Sequence, residues 1–184
     1  RGQQRADARR NRAALLDAAH RLFAVHGIEV GIPAIAAAAG VAVGTIYRHY
    51  PSKEQLIEAV VVERLQAIIT LAERIVAEDD PMPFGTFFRA VALLCAEDGR
   101  FAGTVSDVAR TTLYGQQADQ QLQKVLGHLL DRAFACGELR LRLDPEDVPI
   151  LLAGVRRAML EQDSARWERY VGIVLDGVQV QHDG

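Results

Sequence analysis

Apolar residues recur every three or four positions along most of the chain, the spacing that places them on one face of an α-helix. Between Leu122 and Phe134 the steps alternate between three residues and one, as in a buried helical stripe. No stretch shows the alternation of a β-strand, and no internal repeat is visible. The pattern predicts an all-α fold of about nine helices, over residues 9–26, 33–39, 43–49, 53–78, 83–97, 101–111, 116–136, 145–161 and 165–180.

Two of these helices are short and lie on either side of a tight turn at Gly40. Pro33 suits the first turn of a helix, where its missing N–H has no helical partner to lose. Gly40 can adopt the left-handed conformation that ends one helix and redirects the chain. The pair indicates a helix-turn-helix, which places its second helix in the major groove of DNA. Ala-rich helix pairs with glycine turns also occur in helical proteins of other kinds.

The second short helix separates its inward and outward residues clearly. Its spacing predicts Ile46 and Tyr50 inside. The outward side chains and the start of the next helix supply a hydroxyl, a phenol, a guanidinium, an imidazole and an ammonium, from Thr45, Tyr47, Arg48, His49 and Lys53. All five can donate hydrogen bonds to phosphate, and none is an acid, which favours contact with DNA.

Charge divides unevenly along the 184 residues. Residues 1–53 carry eight positive and three negative side chains, whereas residues 54–184 carry 13 positive and 21 negative ones. A basic N-terminal third joined to an acidic remainder is typical of a nucleic-acid module on a body with another task. We predict a DNA-binding domain over residues 1–52 and a helical body over residues 53–184.

The basic N-terminus allows two interpretations. Arg9, Arg10 and Arg12 begin the first helix, either as a solvated face or close to a DNA phosphate. Residues 1–8 are either a solvated tail or an arm that lies in a minor groove.

Other features bear on compartment and chemistry. Cys95 and Cys136 are too few for a disulfide framework, so a reducing, cytoplasmic location is expected. Both are expected in the core, with a thiol switch as the alternative. The uncharged residues 30–47 contain too much glycine, proline and alanine for a membrane span, and we see no signal peptide.

An enzyme is not expected. The five histidines lack metal-ligand spacing, and Gly40–Thr45 has no lysine of a phosphate-binding loop. The acids around Asp144 are explained by a helix start with an Asp cap and Pro145 in the first turn. We therefore predict no catalytic residue, no metal and no cofactor.

The chain resembles the TetR family of bacterial transcriptional regulators over about residues 9–60. The matching residues are Ala18, Ala19, Phe23, Gly27, Ile35, Ala36, residues 39–41, residues 44–50 and residues 52–54. Residues 137–140, 144–147 and 175–177 are similar to one C-terminal, actinobacterial-type subgroup of that family.

The resemblance implies a homodimeric repressor that binds operator DNA and a small effector. In the family, DNA phosphates are usually bound at the positions that match Thr45, Tyr47, His49 and Lys53. The positions that match Val43 and Gly44 lie near base edges. The last two helices usually form a four-helix bundle with their mates, so dimer contacts are expected from Val148, Leu151, Leu152, Val155, Trp167, Tyr170, Val171, Val174 and Val178.

The chain departs from the family pattern at both helix starts of the helix-turn-helix. Gly31 and Ile32 stand where Thr or Ser is usual, and Ala42 stands where Ser is usual. Each short helix is expected to lose a side-chain cap, at about 1 kcal/mol each. With Ala42, Val43 and Gly44 at the tip, we predict contacts to thymine methyl groups and a guanine contact from Arg48.

The effector site has the least specific signal. An apolar or aromatic effector is expected, since the body shows no basic or acidic cluster. Each candidate pocket residue, taken singly, is better explained by an ordinary core. The candidates are Phe84, Phe87, Phe88, Phe101, Tyr114 and Met159. An effector-independent helical DNA-binding protein is the alternative.

Overall fold

The computed structural model describes residues 2–161 and 167–180, with side chains for residues 11–158 and 167–180. Over these residues it contains nine α-helices, which confirms the predicted all-α class. They are α1 (Gly2–His26), α2 (Ile32–Ala39), α3 (Val43–His49), α4 (Lys53–Ala77), α5 (Pro83–Asp98), α6 (Ala102–Thr111), α7 (Leu113–Ala135), α8 (Asp147–Glu161) and α9 (Trp167–Val178). A 3₁₀ turn (Gly99–Phe101) precedes α6.

Several helix ends differ from the predicted ones. Helix α1 begins at Gly2 and α7 at Leu113, earlier than the apolar spacing indicated. Helix α8 begins at Asp147, so the predicted start at Pro145 was wrong. The Asp144 N–H donates to Asp147 Oδ2 at 2.8 Å, and the Asp147 N–H donates to the Asp144 carbonyl at 2.9 Å. These bonds close a tight turn before the helix. Ser164, a polar residue able to cap the helix predicted over residues 165–180, lies outside the described residues.

The chain forms two compact units. The first comprises the described part of residues 1–64 together with residues 98–116, and the second comprises residues 65–97 and the described residues from 117 onward. The core of the first unit includes Phe23, Ile35, Ile46 and Leu56, all 0% exposed.

In the first unit, the 3₁₀ turn is fastened to the end of α1. Phe101 stacks on Phe23 with ring centroids 5.3 Å apart. Gly99 has a φ of 48°, and an added Cβ would lie 2.6 Å from the Ala24 carbonyl oxygen, so only glycine fits this approach.

His20 Nε2 lies 2.7 Å from Asp98 Oδ1. Arg64 Nε lies 2.8 Å from the same oxygen, so one buried carboxylate joins α1, α4 and α5.

In the second unit, a single apolar cluster is built from α4, α5, α7, α8 and α9. A buried carboxylate, Glu138, holds the start of α5 to it. Its two oxygens accept hydrogen bonds from the N–H groups of Phe84 at 2.8 Å and Gly85 at 2.7 Å. Gln179 Nε2 also donates to Glu138 at 2.8 Å. The charge is therefore buried with three donors, as a buried carboxylate requires.

No helix in the described part of the chain is both long and apolar enough to cross a membrane.

Candidate nucleic-acid interface

The turn between α2 and α3 has the geometry predicted from its sequence. Gly40 ends α2 in the left-handed conformation, with φ 67° and ψ 29°. Its N–H donates to the carbonyls of Ala36 and Ala37, and the Val41 N–H donates to Ala36 at 3.0 Å. These bonds satisfy the last carbonyls of α2 and set the direction in which α3 leaves.

The starts of α2 and α3 lack side-chain caps, as predicted. Gly31 and Ala42 occupy the cap positions, and neither makes a side-chain hydrogen bond to the helix start. Only backbone bonds close these turns, from Ala34 N–H to Gly31 at 3.1 Å and from Thr45 N–H to Ala42 at 2.9 Å. The N–H groups that remain free at these helix starts are thus left to water or to a ligand.

Helix α3 has one buried and one exposed face. Ile46 is 0% exposed and Tyr50, which follows the helix, is 8% exposed. On the other face Tyr47 is 48% exposed, and Arg48 and His49 are also exposed. Among the described residues, α3 thus presents a phenol, a guanidinium and an imidazole together.

The tip of α3 is small and open. Val43 is 37% exposed, and an added Cβ at Gly44 would meet no atom within 4 Å. Thr45, one residue further, is half-buried. This geometry allows a close approach of another surface to the backbone of the tip.

Lys53 stands at the first position of α4, where it is half-buried. Ser52 Oγ accepts a hydrogen bond from the Gln55 N–H at 3.3 Å and thereby caps the start of α4. The backbone N–H of Glu54 and the Ser52 hydroxyl also donate to the Glu54 carboxylate, which lowers the pKa of Glu54. The cap thereby orients the turn that carries Lys53.

Of the basic residues at the start of α1, only Arg12 has a described side chain; Arg9 and Arg10 lie outside this set. Arg12 Nε donates to the Tyr50 hydroxyl at 3.1 Å. This bond and the Coulombic interaction with Tyr50 raise the pKa of Arg12. The sequence gives no signal for the pair, because its partners are 38 positions apart.

The residues predicted for an effector pocket fall into different places. Phe84, Phe87 and Phe88 lie in the apolar cluster of the second unit, each at most 1% exposed. Phe101 belongs to the first unit, where it stacks on Phe23. Tyr114 is also in the first unit, and it is 61% exposed.

The sixth pocket residue, Met159, lies in α8, but its side chain is outside the described set. The four phenylalanines are thus core residues in this conformation. Because these phenylalanines pack on other side chains, the described residues give no geometric support for the pocket that they were predicted to line.

The residues predicted for a dimer interface lie on two sides of α8 and α9. The side chains of Val148, Val155, Val171 and Val178 are buried in the core of the second unit, so they are not available to a partner in this conformation. Half-buried or exposed are Leu151, Leu152, Trp167, Val174 and Tyr170.

Two exposed apolar residues on these helices were missing from the prediction. Ile150 on α8 is 70% exposed and Ile173 on α9 is 54% exposed. Their signal in the sequence was present but ambiguous, since apolar residues occur on every side of both helices.

The described residues contain no group of three or more His, Cys, Asp or Glu side chains suited to hold a metal ion.

Comparison with known proteins supports the assignment of both parts of the chain. Residues 15–60 match the family model "Bacterial regulatory proteins, tetR family". Residues 82–180 match the family model "Transcriptional regulator SbtR-like, C-terminal domain".

Solved structures extend this similarity over nearly the whole chain. A TetR transcription regulatory protein from Mycobacterium vanbaalenii is 30% identical, covers 96% of this chain and 99% of its own, and superposes with a TM-score of 0.73. The TetR regulator SCO0520 from Streptomyces coelicolor is 29% identical over 93% of this chain and 99% of its own, also with a TM-score of 0.73.

Among curated proteins, the similarity is confined to a shorter stretch. The HTH-type transcriptional regulator SAUSA300_2515 of Staphylococcus aureus is 37% identical over 67 residues, which span 36% of each chain. The DNA-binding fold and the C-terminal match together lead to one conclusion: the chain belongs to the TetR family of bacterial transcriptional regulators.

Proposed function

We propose that this protein is a homodimeric repressor that binds operator DNA through residues 1–52 and is released by a small apolar effector bound within residues 53–184. The observation that carries the proposal is the exposed donor face of α3, with Tyr47, Arg48 and His49 outward and Ile46 buried behind them. Family membership supports DNA binding by this face. The protein would act in the cytoplasm, by binding rather than by catalysis.

On this proposal the donors divide into two tasks. Thr45, Tyr47, His49 and Lys53 hold phosphates, because their donors suit an anionic acceptor and carry no base preference. Arg48 reads a guanine, since a guanidinium can donate two hydrogen bonds to one base edge.

The tip of α3 adds a different kind of readout. Val43 offers a methyl surface, and Gly44 has open space around its Cα. Neither side chain can donate a hydrogen bond. Thymine methyl groups are therefore the base features that we expect the tip to select.

Dimerisation is proposed through the exposed apolar side of α8 and α9. That side carries Ile150, Tyr170 and Ile173, with exposed fractions of 70%, 38% and 54%. The half-buried Leu151 and Val174 would adjoin it. Burial of such residues against a second copy removes apolar surface from water, which favours association.

Repression is proposed by analogy with one relative, and release by an effector from membership of the family. SmeT of Stenotrophomonas maltophilia, the repressor of the multidrug efflux pump SmeDEF, is 25% identical over 94% of this chain with a TM-score of 0.61. The aromatic side chains of Phe84, Phe87 and Phe88 would contact an apolar ligand only in a conformation in which the surrounding helices move apart.

The test is DNA binding by the full chain. A duplex is selected from a randomised library, and its affinity is measured against a shuffled duplex over a salt series. We expect sequence-dependent binding with a steep salt slope. Equal binding to both duplexes at every salt concentration would contradict an operator-binding function.

One variant and a matched control test whether Arg48 reads a base. Arg48→Ala should relax preference at one base pair by about 1–3 kcal/mol, while Arg74→Ala, which removes an exposed arginine from α4, should not. Equal weakening on all duplexes by Arg48→Ala would mean that Arg48 only holds phosphate.

The effector is sought among small apolar compounds with the same protein. A compound that raises Tm and weakens binding to the selected duplex would support release by ligand. DNA binding that no compound in a broad apolar library changes would favour the effector-independent alternative.

A further inference from the structure

A cleft opens between α1 and the helix-turn-helix, within the first unit. Its volume is about 160 Å³, and it is lined by Asn11, Arg12, Leu15, Val41, Thr45, His49 and Tyr50. This is about five times the volume that one water molecule occupies in the liquid. The cleft is thus large enough for a fragment of a ligand.

The lining joins an apolar base to a set of donors. Leu15 is 3% exposed, and Val41 is half-buried beside it. Arg12, Thr45 and His49 contribute a guanidinium, a hydroxyl and an imidazole. Among the side chains that the structure describes, no carboxylate lines the cleft, although Glu63 exerts a weak Coulombic attraction on Arg12.

The guanidinium in this cleft is held from one side. Arg12 Nε donates to the Tyr50 hydroxyl at 3.1 Å, and Tyr50 is 8% exposed. A guanidinium has five N–H donors in a rigid plane, so a bond at Nε fixes the plane and leaves the two terminal nitrogens for another acceptor. The conformational entropy of the Arg12 side chain is therefore already reduced before any ligand binds.

We propose that this cleft binds one sugar–phosphate unit of the DNA backbone, with the phosphate on Arg12 and the deoxyribose against Leu15 and Val41. The site deepens the proposed function and rests on it, because Thr45 and His49 belong to both. It adds a contact from α1 that the helix-turn-helix alone does not supply. Tyr50 is a positioning residue, acting on DNA through Arg12.

The chemistry of the lining favours this ligand over a free anion. A free anion offers no apolar surface for Leu15 and Val41, whereas a nucleotide backbone unit carries both a charged and an apolar part. The neighbouring α3 also presents Tyr47 and Arg48 to solvent. A ligand that continues past the cleft would meet these side chains as well.

The experiment measures binding of the full-length protein to the selected duplex as a function of salt. Arg12→Gln should weaken binding roughly tenfold and reduce the slope of log K against log salt by about 0.9, the value for one phosphate. Arg12→Lys keeps the charge and should keep the slope. The control Arg21→Gln removes an exposed arginine from the same helix, and its slope should equal that of the wild type.

Tyr50→Phe removes only the hydroxyl and keeps the ring in the core. It should weaken binding roughly threefold to tenfold with the slope retained, because the charge of Arg12 remains but its plane is no longer fixed. Thermal unfolding of each variant is measured in parallel. A salt slope does not change through a loss of packing alone, so it separates phosphate contact from a structural role.

The outcomes are distinct. A slope for Arg12→Gln equal to that for Arg21→Gln would overturn the phosphate contact, whatever happens to Tm. Full affinity for Tyr50→Phe would overturn the positioning role. A wild-type protein that does not distinguish the selected from the shuffled duplex would refute the proposed function itself, which is a different result from either.

Discussion

Helices α3 and α9 show how far a pattern of apolar and polar residues determines a surface. In α3 the buried Ile46 and the exposed Tyr47, Arg48 and His49 differ in polarity, so the pattern separates the two faces. In α9 the buried Leu175 and the exposed Ile173 are both aliphatic. The pattern therefore identifies the helix but not which apolar side faces the protein's own core.

The difference follows from what each surface is proposed to contact. A face for DNA must be polar and basic, which distinguishes it from a core. A face for a second copy of the chain is apolar like a core. A sequence pattern thus finds a nucleic-acid face more readily than a homodimer face.

The largest predicted effect concerns Asp98, a charged residue that the apolar–polar pattern would place on the surface. Asp98 is 4% exposed and contacts both His20 and Arg64. Asp98→Asn should destabilise the protein by about 3–5 kcal/mol, because breaking a buried ion pair strands charge in a poorly solvated site. Asp107→Asn, at an exposed pair with Arg110, should cost at most about 1 kcal/mol. Chemical denaturation measures both, and equal losses would contradict the contrast.

On α9, truncation of a buried and an exposed residue should differ sharply. Leu175→Ala, at 1% exposure, should cost about 2–5 kcal/mol through lost burial and a new cavity. Ile173→Ala, at 54% exposure, should change unfolding of the monomer by less than about 0.5 kcal/mol. Denaturation at protein concentrations low enough to keep the chain monomeric provides the test. A large loss at Ile173 there would place that side chain in the core instead.

The proposed dimer face gives a third test of the same contrast. Ile173→Arg should weaken dimerisation by about 2 kcal/mol or more, because a charge would be buried against apolar side chains. Glu168→Gln, on the exposed part of α9, changes net charge by the same one unit and should leave the dimer intact. Analytical ultracentrifugation would compare them. A dimer that withstands Ile173→Arg is formed by another surface.

The cap of α4 predicts a smaller effect in the first unit. Ser52→Ala removes the acceptor for the Gln55 N–H and should cost about 1 kcal/mol. Ser106→Ala, on the exposed side of α6, is the matched control and should be near neutral. Thermal unfolding measures both, and equal Tm values would mean that the cap contributes nothing.

The smallest effect concerns pH. Hydrogen bonds from its own backbone N–H and from Ser52 lower the pKa of Glu54 in the folded state. The resulting stability is present at neutral pH, above the unfolded-state pKa, and is lost as pH falls through the folded-state value. Glu54→Gln should therefore remove a small part of the acid dependence of Tm. An unchanged pH profile would contradict the role of these hydrogen bonds.

Much of the helix-turn-helix was predictable because its signals are local. Gly40, the apolar Ile46 and the turn before Lys53 each determine the conformation of only the few residues around them. The structure places α3 over Val43–His49, the range that the spacing predicted. Local propensity and burial agree there, so little was left for tertiary contacts to change.

Two residues have surroundings in the structure that differ from those predicted, because the residue type alone does not specify its partners. Phe101 looked suitable for a pocket in the body, yet it stacks on Phe23, 78 positions earlier in the chain. Asp144 looked like a helix cap, yet its backbone closes a turn with Asp147. In both cases the residue type allowed two environments with similar local energies.

By itself, the sequence determined the all-α class, the helix-turn-helix and its donor face, because these follow from local periodicity, turn chemistry and charge. Only the tertiary structure decided which apolar residues of α9 are buried, where Phe101 packs and that Tyr50 anchors Arg12. The physical reason is that burial and hydrogen bonding depend on which surfaces meet. For residues far apart in sequence, that is settled by the packing of the whole chain rather than by any local preference.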